Sequence, residues 1–150
     1  MKRSQRLNPI KNLAQGKEKD AAQALGQSLN HQKNETNKLE QLKQYRLEYL
    51  QQMERKITQG INGSTLHQYH QFLDKLDLAI TQQQQAVEQS DLQLLESRQQ
   101  WQIKRGKAKA ISQAMDTMAQ HERQVQEKRE SVQADEMSTQ AFLRRINCSN

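Results

Sequence analysis

A chain of 150 residues with 33% apolar residues and a mean hydropathy of -1.11 has too little apolar surface for a layered globular core, but enough for one or two helical seams. Its formal net charge of +6 favours an acidic partner over a basic one. No run of about 18 apolar residues exists, which excludes a helical membrane span.

In chain order, the opening Met1-Lys2-Arg3-Ser4-Gln5-Arg6 lacks the apolar stretch of a secretory signal. Asn8-Pro9 follows, a good N-cap with proline at the first helical position. Pro9 is the single proline, so nothing downstream removes an N–H and breaks a helix. The first helix is predicted from about Pro9 to Gln59. Its seam positions, seven apart, are Ala22, Leu29, Thr36, Lys43, Leu50 and Ile57, accompanied by Leu25, Gln32, Leu39, Arg46 and Met53. Gly60-Ile61-Asn62-Gly63-Ser64-Thr65 carries the strongest turn signal, Asn-Gly, and Thr65-Leu66-His67-Gln68 then fits a capping box.

The second helix is predicted from about Leu66 to about residue 145. Leu66, Leu73, Ile80, Val87, Leu94, Trp101, Ala108 and Met115 are seven apart and all apolar. The companion series is Tyr69, Leu76, Ile111, Met118, Val125 and Val132, interrupted by Gln83, Ser90, Ser97 and Lys104. Disorder is compatible with the composition, with its 27 glutamines, but a disordered chain does not keep a heptad. At 1.5 Å per residue the helices measure roughly 75 Å and 115–120 Å, and so short a turn folds them back antiparallel. The fold class is all-α: a single-domain, two-helix antiparallel coiled-coil hairpin. With reversal near residue 61 or 62, Leu66, Leu73, Ile80, Val87 and Leu94 face Ile57, Leu50, Lys43, Thr36 and Leu29. Pro9 falls opposite residue 114, so the longer second helix overhangs at the C-terminal end from Met115 onward. Its stripe of Met118, Val125 and Val132 then asks for a partner, since a lone helix in water gains nothing from it.

Two surface features stand out. Leu42 and Tyr49 on helix one, with Phe72 and Ala79 on helix two, flank the same side of the seam at matching heights. Tyr45 and Leu76 adjoin them, and an aromatic patch of this kind is a candidate interaction surface. Charge is also uneven. Residues 1–20 are net +4, residues 21–97 net −2 and residues 98–150 net +4, so the hairpin brings two basic ends together. That end suits an acidic partner, phosphates included.

Catalytic signals are absent. His67 and His70 lack a completing carboxylate or cysteine cluster, and no phosphate-binding glycine loop exists. The single Cys148 has no matching base, excludes an intrachain disulfide and suits a reducing cytoplasm. A non-enzymatic protein without cofactor, metal or small-molecule substrate is expected.

These residues carry a resemblance. Leu13-Ala14, Lys17-Glu18, Asp20-Ala21-Ala22 and Leu25-Gly26 look like the opening of the FliJ family of flagellar type III export proteins. So do Tyr45-Arg46-Leu47-Glu48-Tyr49, the glycine turn, and Tyr69-His70-Gln71-Phe72 followed by Leu76, Ala79-Ile80 and Gln82-Gln83. Trp101 before Lys104-Arg105, and Asp135-Glu136-Met137 with Phe142, extend the likeness over essentially the whole chain.

The resemblance implies a coiled-coil stalk similar to that of the F-type ATPase, sitting in the hexameric export ATPase ring and promoting its assembly and activity. It also implies contact with the cytoplasmic domain of the export gate and with substrate-specific export chaperones. The location implied is cytoplasmic, peripheral to the inner membrane at the flagellar basal body. Gate binding would fall on Leu42, Tyr45, Tyr49, Phe72, Leu76 and Ala79. Contact with the ATPase ring would fall on Arg3, Arg6, Lys11, Lys104, Arg105, Met118 and Val125. Three alternatives stay open. One is the equivalent stalk of a virulence-type secretion system and another a structural homo-oligomer. The third, a nucleic-acid-binding coil, would need a continuous basic face that the four basic residues from Lys104 to Lys109 do not supply.

Overall fold

The computed structural model describes residues 2–149 and is all helix, with no strand among the described residues. A short α1 (Arg3–Arg6) precedes the long α2 (Asn8–Gln59), and α3 (Gly63–Cys148) returns along it as the second arm of a helical hairpin. No helix is long and apolar enough to cross a membrane among these residues.

Local chemistry explains each boundary, and it moves two of the predicted caps. Pro9 has no N–H to offer, so the chain breaks at Leu7 between α1 and α2. Asn8 already belongs to α2, and the Lys11 N–H donates to the Leu7 carbonyl at 2.9 Å. At the other end of α2, Gly60 takes a φ of 89° and its N–H donates to the Ile57 carbonyl at 3.1 Å. This is the left-handed exit that glycine makes without steric cost. The cap of α3 is Asn62 rather than Thr65: its side-chain oxygen accepts the Thr65 N–H at 2.8 Å, and its carbonyl accepts the Leu66 N–H at 3.1 Å. Asparagine is at least as good a cap as threonine. By capping three residues earlier it shortens the loop to Gly60-Ile61-Asn62.

The chain divides into two compact units, residues 19–103 and residues 1–18 with 104–150. In the first, α3 presents the predicted series, with Leu73 and Leu76 buried and Leu66, Ile80, Val87, Leu94 and Trp101 half-buried. The inward face of α2 differs from expectation. It keeps the predicted companions Leu25, Gln32, Leu39, Arg46 and Met53, with Thr36 and Leu50 half-buried, and adds Ala21, Ser28, Glu35, Leu42 and Tyr49, while Ala22, Leu29 and Lys43 lie exposed and Ile57 is 48% exposed. The inward face is thus shifted from the predicted seam towards Leu42 and Tyr49. The reason is Lys43, whose charge would be costly at a seam position; the shift moves it into solvent and brings Tyr49 and Leu42 inward. Arg46 keeps its charge satisfied at the edge, with Nε 2.6 Å from an Asp77 carboxylate oxygen.

The core of this unit sits near the turn, where Met53, Leu73 and Leu76 are buried and Tyr49, Leu50, Leu66, Tyr69 and Phe72 pack against them. Further from the turn polar residues interrupt the apolar seam. The Ser28 and Ser97 hydroxyls meet at 2.7 Å, and Gln32 donates to Asp91 at 3.2 Å. The Gln83 amide donates to both the carbonyl and the carboxylate of Glu35, at 2.9 and 2.6 Å. That bond, with Lys38 and His31 nearby, holds the Glu35 carboxyl below the usual glutamate range. Ser90 is fully buried and donates to the Val87 carbonyl. The pairs that cross between the helices, Ser28 with Ser97, Gln32 with Asp91 and Glu35 with Gln83, specify register at a cost in stability. The Thr36 hydroxyl oxygen is buried without a partner. Thr36→Val removes that unsatisfied group at similar volume and helix propensity. It is expected to raise stability by about 1 kcal/mol, visible as a higher thermal midpoint.

In the second unit the inward residues of the first arm are Glu18, Ala14 and Lys11 of α2, Leu7 between the helices and Ser4 of α1, all half-buried. Opposite them on α3, Ala108 and Met115 are buried, and Lys104, Ile111, Met118 and Glu122 are half-buried. Here the predicted overhang is corrected. Cover of α3 lasts to Glu122, because α1 extends the first arm beyond Pro9: the Ser4 N–H and hydroxyl both donate to the Glu122 carboxylate, at 3.0 and 2.7 Å. The uncovered length begins after it, with Val125 37% and Val132 50% exposed.

Candidate functional site

The residues singled out for partner binding fall in two places. The first is an aromatic cluster beside the core of the turn unit. Tyr45 and Tyr49 are four apart on α2, and Tyr69 and Phe72 three apart on α3, spacings that put each pair on one helical face. Antiparallel return brings the pairs together. The Tyr49 and Phe72 rings lie 4.6 Å apart at 49°, and Tyr49 and Tyr69 5.1 Å apart at 41°. Tyr45 meets Phe72 edge-on at 6.1 Å and 86°. Geometries of this kind add to the stabilisation from burial alone.

The cluster is graded from inside to outside. Leu76, read from the sequence both as seam and as adjoining the patch, is 6% exposed and forms the floor with Met53 and Leu73. Tyr49 is half-buried, and burial pushes its phenol up, with Tyr69 and Tyr45 adding to the shift. Leu42, Phe72 and Ala79 are half-buried as well. Tyr45 is the most open of the set at 48%. The structure therefore groups Tyr45, Tyr49 and Phe72 as one ringed surface over Leu76, and adds Tyr69. That ring had been read only as seam, although its spacing of three before Phe72 already put both on one side of α3.

The second place is the unit containing both chain ends. Arg3 and Arg6 are exposed on α1 and Arg105 is exposed on α3. Lys11 and Lys104 are half-buried, which a long side chain allows while its charged head stays in water. Met118 lies under the first arm, whereas Val125 opens the uncovered stretch. Met137, Phe142, Leu143 and Ile146 continue it as exposed apolar residues, all at least 45% accessible.

One link in this unit depends on pH. The Ser4 hydroxyl and N–H hold the Glu122 carboxyl below the usual glutamate range, with Lys2 nearby. A carboxyl whose folded value is depressed stabilises the folded form above its unfolded value and loses that contribution as pH falls through the folded one. Acidification below the ordinary glutamate range is therefore expected to release α1. Protection of the Ser4 amide against hydrogen exchange would report it, and Glu122→Gln should weaken that protection already at neutral pH.

Comparison with known proteins agrees with the geometry. No curated protein and no solved structure gives a match. The family described as "Flagellar FliJ protein" matches residues 2–147, nearly the whole chain. With the all-helical hairpin in place, the chain belongs to the FliJ family of flagellar export proteins.

Proposed function

We propose that this chain is a non-enzymatic coiled-coil stalk of the flagellar export apparatus. It sits in the hexameric export ATPase ring, promotes its assembly and activity, and links it to the export gate and to export chaperones. The observation that carries the reading is a family match over nearly the whole chain, joined to a hairpin whose C-terminal helix runs on uncovered from Val125. A helix with exposed Val125, Val132, Phe142 and Ile146 gains from insertion into a partner and gains nothing in water. Within this reading the unit with both chain ends contacts the ring, and the aromatic cluster near the turn contacts the cytoplasmic domain of the gate. The place of action is the cytoplasmic side of the inner membrane, at the basal body.

The ring contact is tested by adding the purified chain to the purified export ATPase. Hexamer formation and faster ATP hydrolysis are expected; unchanged values for both would sink the stalk role. The gate contact is tested with Tyr45→Ala. Tyr45 is exposed, so its loss is expected to change stability by less than about 0.5 kcal/mol. It should weaken capture of the gate's cytoplasmic domain by about tenfold, the effect of a moderate hot spot. Undiminished capture would move the gate surface elsewhere.

A further inference from the structure

The unit containing both chain ends has two unlike flanks. On one, Ile10 and Leu13 of α2 stand 49% and 61% exposed beside Ile111 of α3, and together they line a groove. Lys17, Lys104 and Lys107 border the same groove. Among the described residues no ion pair joins any of these three lysines to a carboxylate. The other flank, bordered by Gln15, Glu18, Arg105, Lys109, Ser112 and Gln113, mixes both charges with neutral polar groups and holds no large apolar residue.

An apolar strip with uncompensated positive charge along its edge calls for an occupant that is apolar on one face and acidic beside it. Inorganic phosphate or a nucleic-acid backbone would satisfy the lysines but leave Ile10 and Leu13 in water. A purely apolar helix would cover the strip and leave three ammonium groups without counter-charge. From Ile10 to Lys17 the strip is about 10 Å long, two helical turns. An occupant of matching length carries an apolar pair three or four residues apart, flanked by Asp or Glu.

The geometry points to this groove as the docking site for an acidic amphipathic helical segment of the export ATPase. The assignment rests on the reading of the chain as a ring-bound stalk. Apolar contact supplies the holding energy, and the lysines supply orientation and a salt-sensitive rate of encounter. The groove also gives the stalk sidedness, because the apolar strip of Ile10, Leu13 and Ile111 lies on one flank only.

The test is titration of the purified ATPase with the full chain and three single variants, read by calorimetry or surface binding. Lys107→Glu and Lys109→Glu make the same charge change two residues apart, on opposite flanks, at exposed positions. Leu13→Asp removes the apolar floor at an exposed position. Lys107→Glu and Leu13→Asp are each expected to weaken binding by about tenfold, and Lys109→Glu by less than about twofold. Binding by the unchanged chain should weaken as salt rises. Equal effects of Lys107→Glu and Lys109→Glu, or normal binding by Leu13→Asp, would overturn the groove while leaving the stalk role standing. Failure of the unchanged chain to bind the ATPase would remove both. A concentration-dependent doubling of mass in light scattering, abolished by Leu13→Asp, would assign the groove to a second copy and overturn the proposal.

Discussion

Leu76→Ala is expected to lower the stability of the hairpin by about 2–4 kcal/mol, the usual cost of truncating a buried leucine. Leu76 is 6% exposed and lies with Met53 and Leu73 in the small core beside the turn. Few residues are buried as fully: beyond this core half-buried apolar residues alternate with Ser28, Gln32, Glu35, Gln83 and Ser97, whose bonds across the seam pin register more than they stabilise. Chemical denaturation followed by far-UV circular dichroism measures the change. The same variant separates two roles for the residue. If Leu76 supports the rings from below, gate capture should fall in step with the folded fraction and recover at low temperature. A loss of capture at full helicity would instead make it a direct contact.

Ending the chain after Gln124 is expected to abolish stimulation of the ATPase while leaving the hairpin's melting behaviour unchanged. This end point keeps the Ser4 bonds to Glu122 and the buried Met115, so the covered part of α3 stays whole. What is removed, from Val125 to Cys148, is about 36 Å of helix without a partner along it. Full stimulation by the shortened chain would place the productive contact within the covered hairpin, at the lysine-bordered groove or on α1. A lowered melting point would show that the distal helix supports the fold, which its exposure argues against. Rate measurement and melting of one preparation decide between these results.

The two expectations bear on different ends of one design. Near the turn, apolar side chains are spent on a local core and leave one open ring, Tyr45, at its edge. At the chain ends, apolar residues are left on the outside: Ile10 and Leu13 on α2, and Val125 through Ile146 on α3. A chain with 33% apolar residues that exposes so many of them is built for contact with other surfaces.

Much of this was legible from residue order. The heptad from Leu66 to Met115 determined the inner face of α3, since every member is apolar and a seven-residue spacing admits one seam. Gly60 and Asn62 marked the reversal, and the short loop determined that the arms return antiparallel. The companion series from Leu25 to Met53 was also legible, and only packing decided which neighbouring residues of α2 join it inside. Two overlapping seven-residue series compete there, and local spacing does not weigh the desolvation of Lys43 against the burial of Tyr49 and Leu42. The extent of the overhang was likewise tertiary. Ser4 and Glu122 are 118 positions apart, and no periodicity within either segment announces a hydrogen bond between them. The grouping of Tyr69 with Tyr49 and Phe72, and of three lysines beside Ile10 and Leu13, followed once both arms had taken their rotation. Sequence alone determined that this chain is a hairpin of two helices with apolar residues left over. Tertiary structure decided which of them the fold uses and which it leaves for a partner, because burial is a property of the pair of helices and not of either one.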